Sequence, residues 1–267
     1  MQKPIVTLTT DFGYKDPLSG IVKGAILGIN PEANIVDITH GIGKYNVREA
    51  ALSIGMSYRH FPSRTIHIVV ADPGVGSVRR PIMVITGNYY LIGPDNGVFS
   101  VVYEESERCE VLHITADHYF SRERSATFHA RDIFAPVAAW LSKGIVASNF
   151  GDPIKDFVRL SFPVPSKPTA AALEGEVVQI DHFGNAITNI RQEDLNQLRS
   201  SKPDAGIGIV TKGIRVPLKE YYSQAEDKGL YALINSMDRL ELFVYRGNAA
   251  NEFEIKVGDT LGVMLAG

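Results

Sequence analysis

Cysteine is nearly absent: Cys109 is the only one in 267 residues. An internal disulfide and a cysteine-rich metal site are therefore excluded, and nothing in the chain calls for an oxidising compartment. Long apolar runs are missing too. None approaches the roughly 18 residues of a membrane helix, and Met1 to Asp11 holds one Lys and a short apolar stretch, too little for a signal peptide. The cytoplasm is the expected location. An excess of one charge is also lacking, since 27 Lys and Arg against 30 Asp and Glu leave a formal charge of −3. Without clustered Lys and Arg there is no footprint for nucleic acid or an anionic membrane, and a small-molecule partner is expected. The histidines show no ligand spacing, so no metal is expected. Neither an internal repeat nor a low-complexity tract is present. What remains is 45% hydrophobic content in a chain long enough for one large or two modest domains, each with its own core.

The first half alternates β-rich apolar runs with segments of helical spacing: Ile5–Thr10, Leu18–Ile29, Asn34–Thr39, Val47–His60 and Thr65–Ala71. This order predicts an α/β domain with a central, mostly parallel sheet. Gly20, Gly24 and Gly28 recur every four residues, which predicts a helix face packed closely on the sheet. Apolar runs at Pro81–Thr86, Tyr89–Ile92 and Val98–Tyr103 are separated by the turn signals Gly87-Asn88 and Pro94-Asp95-Asn96-Gly97. His129–Ser142 is predicted helical, closed by Lys143-Gly144. Pro163, Pro165 and Pro168 then interrupt the chain, a stretch that suits neither a helix nor a central strand. The expected organisation is an α/β domain over 1–162, a Pro-rich linker over 163–172 and a smaller all-β, barrel-like domain over 173–267. Short β-type runs support the last: Gly175–Ile180, Gly206–Val210, Tyr231–Ile234, Leu240–Tyr245 and Phe253–Val257.

Four acids sit at or near strand ends: Asp11, Asp37, Asp72 and Asp95. Strand ends form the binding crevice of open α/β sheets, although each acid also suits a helix cap or a turn. Asp72 precedes Pro73, which keeps it extended, and Gly13 gives the chain a sharp exit after Asp11. The segment Asp72-Pro73-Gly74-Val75-Gly76-Ser77-Val78-Arg79-Arg80 lacks the ending of a phosphate loop. It offers an acid and a cation on one compact loop, with Arg79 and Arg80 equally placed to pair with Asp72. His129 stands where a helix starts, over the sheet edge or in a purely structural role. In the second half, Asp181-His182-Phe183-Gly184-Asn185 breaks a β-type run. Phe183 offers a stacking face and Asn185 a bidentate partner for an adenine edge; a turn with Asn at positive φ is the competing reading. Arg246-Gly247-Asn248-Ala249-Ala250 is a second small-residue turn.

Seven segments in order resemble the S-adenosylmethionine (SAM) hydroxide adenosyltransferase family, relatives of the fluorinase and chlorinase: Thr9-Thr10-Asp11-Phe12-Gly13, Asp37-Ile38-Thr39-His40, Asp72-Pro73-Gly74-Val75-Gly76, Gly93-Pro94-Asp95-Asn96-Gly97, Phe128-His129-Ala130-Arg131-Asp132, Phe183-Gly184-Asn185 and Asn235-Ser236. The resemblance implies a homotrimer with active sites between one subunit's N-terminal domain and its neighbour's C-terminal domain. It implies hydrolysis of SAM to adenosine and L-methionine, with SAM as substrate and no cofactor or metal. The family's Asp-Arg-His set falls on Asp72, Arg79 and His129, its ribose-binding Asp on Asp11, and its adenine-binding aromatic and Asn on Phe183 and Asn185. Asp181 is expected at the methionine ammonium, and Tyr222, Ser236, Glu241 and Val244 around the bound substrate. The halogenases resemble this chain but lack the Asp-Arg-His set. Where the fluorinase has Arg after the Ser of its methionine-binding turn, this chain has Ser236-Met237, so the resemblance names no partner for the methionine carboxylate. Rival readings are a halide-dependent adenosyltransferase, a non-catalytic SAM or adenosine sensor, and a metal-dependent phosphohydrolase built on the strand-end acids.

Overall fold

A computed structural model describes residues 3–200, 202–203 and 205–266. It divides the chain into two units, Met1–Ser161 and Phe162–Gly267. In the first, the elements run β1 (Ile5–Thr10), α1 (Leu18–Ile29), β2 (Asn34–Thr39), α2 (Val47–Ser57), β3 (Ile66–Val70), β4 (Pro81–Thr86), β5 (Tyr90–Pro94), α3 (Ser100–Glu105), β6 (Cys109–Ile114), α4 (Ala135–Ser142) and β7 (Gly151–Pro153). Among the described residues the strands form a seven-stranded sheet in the order β2-β1-β3-β5-β4-β6-β7. The four strands β2, β1, β3 and β5 run parallel, and β4 pairs antiparallel with both β5 and β6. Every residue of β3 is buried, the pattern of a strand covered on both faces.

Alternation along the strands divides the core in two. Ile66, Ile68 and Val70 face a cluster that includes Val22 and Ile26 of α1 and Val137 and Leu141 of α4. Val69 and Ala71 face the other, with Ala50 and Ile54 of α2 and Val102 of α3. Three expectations change here. The glycine stripe of α1 is exposed with no neighbouring atom where a Cβ would stand, because the larger Val22 and Ile26 take the core side. Val98–Tyr103 enters helix α3, its apolar residues buried beneath α2. The helix predicted at His129–Ser142 opens with a π-helical turn over Ala130–Phe134 before α4.

The second unit contains β8 (Ser166–Thr169), β9 (Ala172–Ile180), β10 (Ala186–Arg191), α5 (Gln192–Arg199), β11 (Gly206–Thr211), β12 (Ile214–Val216), β13 (Leu230–Ile234), β14 (Arg239–Val244), α6 (Ala249–Glu252) and β15 (Thr260–Ala266). The sheet order β12-β11-β15-β9-β10-β14-β13 is antiparallel throughout, with β8 added on β9. The chain after β12 returns to the far strand, where Lys219 N–H donates to Ala232 O at 2.7 Å and Ala232 N–H to Pro217 O at 2.9 Å. These bonds bring the sheet to a nearly closed barrel.

The Pro-rich stretch is not wholly a connector. Ser166–Thr169 pairs with β9 alone, an edge position that tolerates Pro168, and β9 begins at Ala172. Phe253–Val257 is not a strand. Phe253 and Ile255 reach the core from the turn that follows α6, where Glu254 has φ +53°. The elements β10, β12, β15 and α5 lie outside the predicted runs. Among the described residues, no helix is long and apolar enough to cross a membrane.

Candidate active site

Thr10 lies opposite Val70 in the parallel pair β1–β3, and Asp11 N–H donates to Val70 O at 3.2 Å. Asp11 and Asp72 therefore leave the same carboxyl edge of the sheet on adjacent strands. The Asn96 side chain fixes that edge by donating to Ala71 O at 2.8 Å, which accounts for the asparagine in the turn after β5. Of the other two acids, Asp95 is structural: it is buried, accepts from Arg80 Nε at 2.9 Å and Nη2 at 2.7 Å, and receives Val158 N–H at 2.8 Å. Arg80 is thus removed as a partner for Asp72.

Asp72 pairs with Arg79. Arg79 Nε donates to Asp72 Oδ1 at 3.0 Å, and Nη2 to Oδ2 by a short bond. Both side chains are more than nine-tenths buried, at 8% exposure for Arg79 and 4% for Asp72. Arg79 Nη2 also lies 2.8 Å from His129 Nδ1. A guanidinium has no acceptor, so Nδ1 must accept and the neutral imidazole carries its proton on Nε2. Burial and the adjacent Arg79 cation hold the His129 pKa below its ordinary value, which agrees with that form. Arg79 Nη1 is buried and has no acceptor among the described residues, and the guanidinium lies 5.4 Å from the centre of the Phe134 ring.

The loop that carries Arg79 back to Asp72 depends on Gly76. It has φ +78°, and a Cβ there would stand 2.3 Å from Ala126 O, so both conformation and space require glycine. Across from it, Asp132 accepts from Ser125 N–H at 2.8 Å and from Arg131 Nε at 2.7 Å and Nη2 at 2.8 Å. Burial works to raise the Asp132 pKa, but Arg131 and the Ser125 amide outweigh it and hold it below the usual range. This anchor fixes the turn that presents His129.

Asp11 Oδ2 accepts Tyr45 N–H at 2.9 Å. Tyr45 has φ +62° and is 69% exposed. Sequence reasoning missed it because the bond spans 34 residues and no local spacing signals it. Behind Asp11, His40 is fully buried and its Nδ1 lies 2.7 Å from Thr10 Oγ1. His40 Nε2 lies 3.1 Å from Asp37 Oδ1, at an angle that falls short of a hydrogen bond for either atom. Lys23 Nζ donates to Asp37 Oδ2 at 2.6 Å. Burial pushes the Asp37 pKa up, yet Lys23 and His40 together hold it below its usual range.

In the second unit, the Asp181 carboxylate organises its own turn. Oδ1 accepts from Phe183 N–H at 2.9 Å and Asn185 N–H at 2.8 Å, and Oδ2 from Asn185 Nδ2 at 3.0 Å. Gly184, not Asn185, takes the positive φ, at +85°, and a Cβ on it would meet the Asn248 side chain at 2.1 Å. Phe183 is left 72% exposed while Asn185 is buried. Tyr222 Oη donates to Glu241 Oε1 at 2.8 Å and Asn235 Nδ2 to Oε2 at 2.9 Å. Burial raises the Glu241 pKa. Asn235 Oδ1 accepts from Met237 N–H at 2.9 Å and Arg239 N–H at 3.2 Å, shaping the turn that holds Ser236. Val244 lies in the core, so its backbone is the part left for a ligand. Among the described residues no three His, Cys, Asp or Glu side chains gather as metal ligands.

An α/β unit with a buried Asp-Arg-His cluster at its carboxyl edge, followed by an antiparallel barrel with an aromatic-Gly-Asn turn, defines a two-part protein built for a small ligand. The SAM hydroxide adenosyltransferase N-terminal domain family matches residues 6–151 and the corresponding C-terminal domain family residues 175–262. The chain belongs to the SAM hydroxide adenosyltransferase family. It is 31% identical to the (R)-S-adenosyl-L-methionine hydrolase of Methanocaldococcus jannaschii, over 97% of this chain and 95% of that one. It is 28% identical to a fluorinase from an Actinoplanes species, over 98% of each. The crystal structure of an uncharacterized conserved protein from Thermotoga maritima superposes with a TM-score of 0.89, 33% identity, and coverage of 97% of this chain and 99% of that one.

Proposed function

We propose that this protein hydrolyses S-adenosyl-L-methionine to adenosine and L-methionine, with water attacking C5′ of the ribose. One observation carries the reading. Asp72, from the same loop, and His129, from a distant segment, converge on the buried Arg79 guanidinium, whose Nη1 has no acceptor among the described residues. Full-length relatives named (R)-S-adenosyl-L-methionine hydrolase support it.

The reaction asks little of an enzyme at its leaving group. A water lone pair forms the C5′–O bond as the C5′–S pair moves to sulfur, and the sulfonium departs as a neutral thioether. No acid and no metal is required there. Ionising the water beforehand at pH 7 would cost roughly 12 kcal/mol, from a pKa of about 15.7 and about 1.36 kcal/mol per pH unit. That cost is avoided when the proton leaves as the bond forms, because the oxygen becomes strongly acidic as it donates electrons to carbon. The attacking water sits beside the Asp72–Arg79 pair, with one lone pair turned to C5′ and a hydrogen to the carboxylate. Asp72 accepts the proton. His129, whose Nδ1 already accepts from Arg79, orients the guanidinium and takes no share of that proton. Attack on a cation in a dry pocket also favours the transition state over separated charges.

Substrate binding follows from the remaining groups. One N–H on Asp11 leaves lone pairs on both oxygens for the ribose diol. Phe183 stacks on adenine, and Asn185 keeps one amide hydrogen and its oxygen for the base edge. Asp181 faces the methionine ammonium, with Tyr222, Glu241, Ser236 and the Val244 backbone around the substrate. The working form is a homotrimer in which one protomer's first unit meets its neighbour's second, and the location is the cytoplasm, which suits a single free cysteine.

Turnover in ¹⁸O-water tests the chemistry. Label is expected in the adenosine 5′-hydroxyl, with the rate unchanged by chelator. Preferential formation of 5′-chloro-adenosine in chloride buffer, or label elsewhere, would overturn it.

A further inference from the structure

The Asp37-Ile38-Thr39-His40 segment takes no part in the chemistry just described, yet it places a fully buried imidazole directly behind Asp11. Two backbone bonds and one side-chain bond join the ends of β1 and β2. Gly13 N–H donates to His40 O at 2.8 Å, Ile42 N–H to Thr10 O at 3.3 Å, and Thr10 Oγ1 meets His40 Nδ1 at 2.7 Å. Thr10 Oγ1 also accepts Phe12 N–H at 3.3 Å. The hydroxyl therefore bridges the imidazole to the amide immediately after Asp11. On the other side, His40 Nε2 faces Asp37, which Lys23 of α1 holds. The same junction carries Gly41–Tyr45 away from β2, and Tyr45 N–H is the group that fixes Asp11 Oδ2. The amide that follows Asp11 and the segment that carries its Tyr45 partner thus both adjoin the Thr10–His40 contact.

From this geometry we infer that His40 and Thr10 are positioning residues for substrate: the Asp37–His40–Thr10 chain sets the bend that aims Asp11 at the ribose diol. An Asp-His-Thr series invites a nucleophile reading, but Thr10 is 1% exposed and His40 0%, so neither reaches a ligand. The inference rests on the assignment of Asp11 to the ribose. Its effect should fall on binding, since Asp11 holds the ribose and does not touch the attacking water, whereas a role in folding alone would lower the active fraction and leave KM unchanged.

The experiment compares Thr10→Val, which keeps the shape and removes the hydroxyl, with Thr10→Ser, which keeps the hydroxyl. In Thr10→Val, KM for SAM and Kd for adenosine should both rise about tenfold, with kcat within about threefold, and Thr10→Ser should restore both to within about twofold. His40→Asn, whose amide reaches where Nδ1 stood, should bind more tightly than His40→Ala. A fall in kcat at constant KM, or no change in Thr10→Val, overturns the inference. Hydrogen exchange in the unliganded protein separates it from the functional reading. If the wild type neither binds adenosine nor consumes SAM, the functional reading fails, and the amides of Phe12 and Gly13 still decide. Faster exchange there in Thr10→Val, with Thr10→Ser and the Val6–Leu8 amides unchanged, supports the device, and unchanged exchange refutes it.

Discussion

At the scale of single residues, the division of labour around Arg79 follows from what each atom can donate or accept. Asp72 and His129 both contact the guanidinium, but only the carboxylate keeps lone pairs for a proton, because the accepting nitrogen of His129 is already used. Arg79→Ala should lower kcat about 10²–10³-fold, within the range of general-base catalysis, because Arg79 holds the Asp72 carboxylate that takes the proton. His129→Ala, acting through Arg79, should lower it on the order of tenfold. Adenosine affinity should stay within about threefold for both, as the attacking water is absent from that complex. The double variant should be little worse than Arg79→Ala alone, since His129 has no other route to the reaction. Steady-state kinetics with adenosine calorimetry check this. Additive losses, or adenosine affinity falling in step with kcat/KM, would assign these residues to pocket shape.

At the scale of elements, the site is a set of loops suspended from a sheet whose central strands β1, β3 and β5 are buried on both faces. The loop from Asp72 to Arg79 keeps its shape through Gly76, wedged against the Ala126 carbonyl in a left-handed conformation. Gly76→Ala should therefore cost about 1–3 kcal/mol of stability, and should lower kcat more than the stability loss explains, because the displaced loop carries Arg79. Thermal unfolding and kinetics on the folded fraction measure the two effects. Wild-type kcat in a destabilised variant would mean that Arg79 finds its place without the loop. The π-helical turn at Ala130–Phe134 lies on the opposite side, where π turns gather at functional sites, and Asp132 pins it to Ser125.

At the scale of the whole molecule, the residues proposed for the reaction lie in the first unit and the turn proposed for adenine in the second. If a site joins one protomer to its neighbour, mixing Arg79→Ala with Asn185→Ala chains should restore activity. A random trimer of the two would hold intact pairs at about a quarter of its sites, so refolding the mixture should recover on the order of a quarter of wild-type activity. Recovery no greater than the sum of the separate variants would place each site within one chain. Light scattering should give about three times the 29.3 kDa chain mass.

Much of the architecture was legible in the sequence because it follows from local patterns. Strands β1 and β2 and helix α1 have the predicted bounds, and the four acids were visible from their places at or near strand ends. Asp72, Arg79 and His129 could be singled out because family motifs record them. Tertiary structure decided what each touches. Arg79 and Arg80 are neighbours in sequence, yet one is buried on Asp72 and the other bound to Asp95 and Asp156, a choice made by which carboxylates the fold brings beside each. Tyr45, Thr10 and His40 gained their places from pairing between β1 and β2, across separations of 30 residues and more. In the second unit β10, β15 and α5 escaped the pattern, and the apolar Phe253–Val257 became a turn. Short strands in a closing barrel are specified by their partners across the sheet, and those partners are distant in sequence.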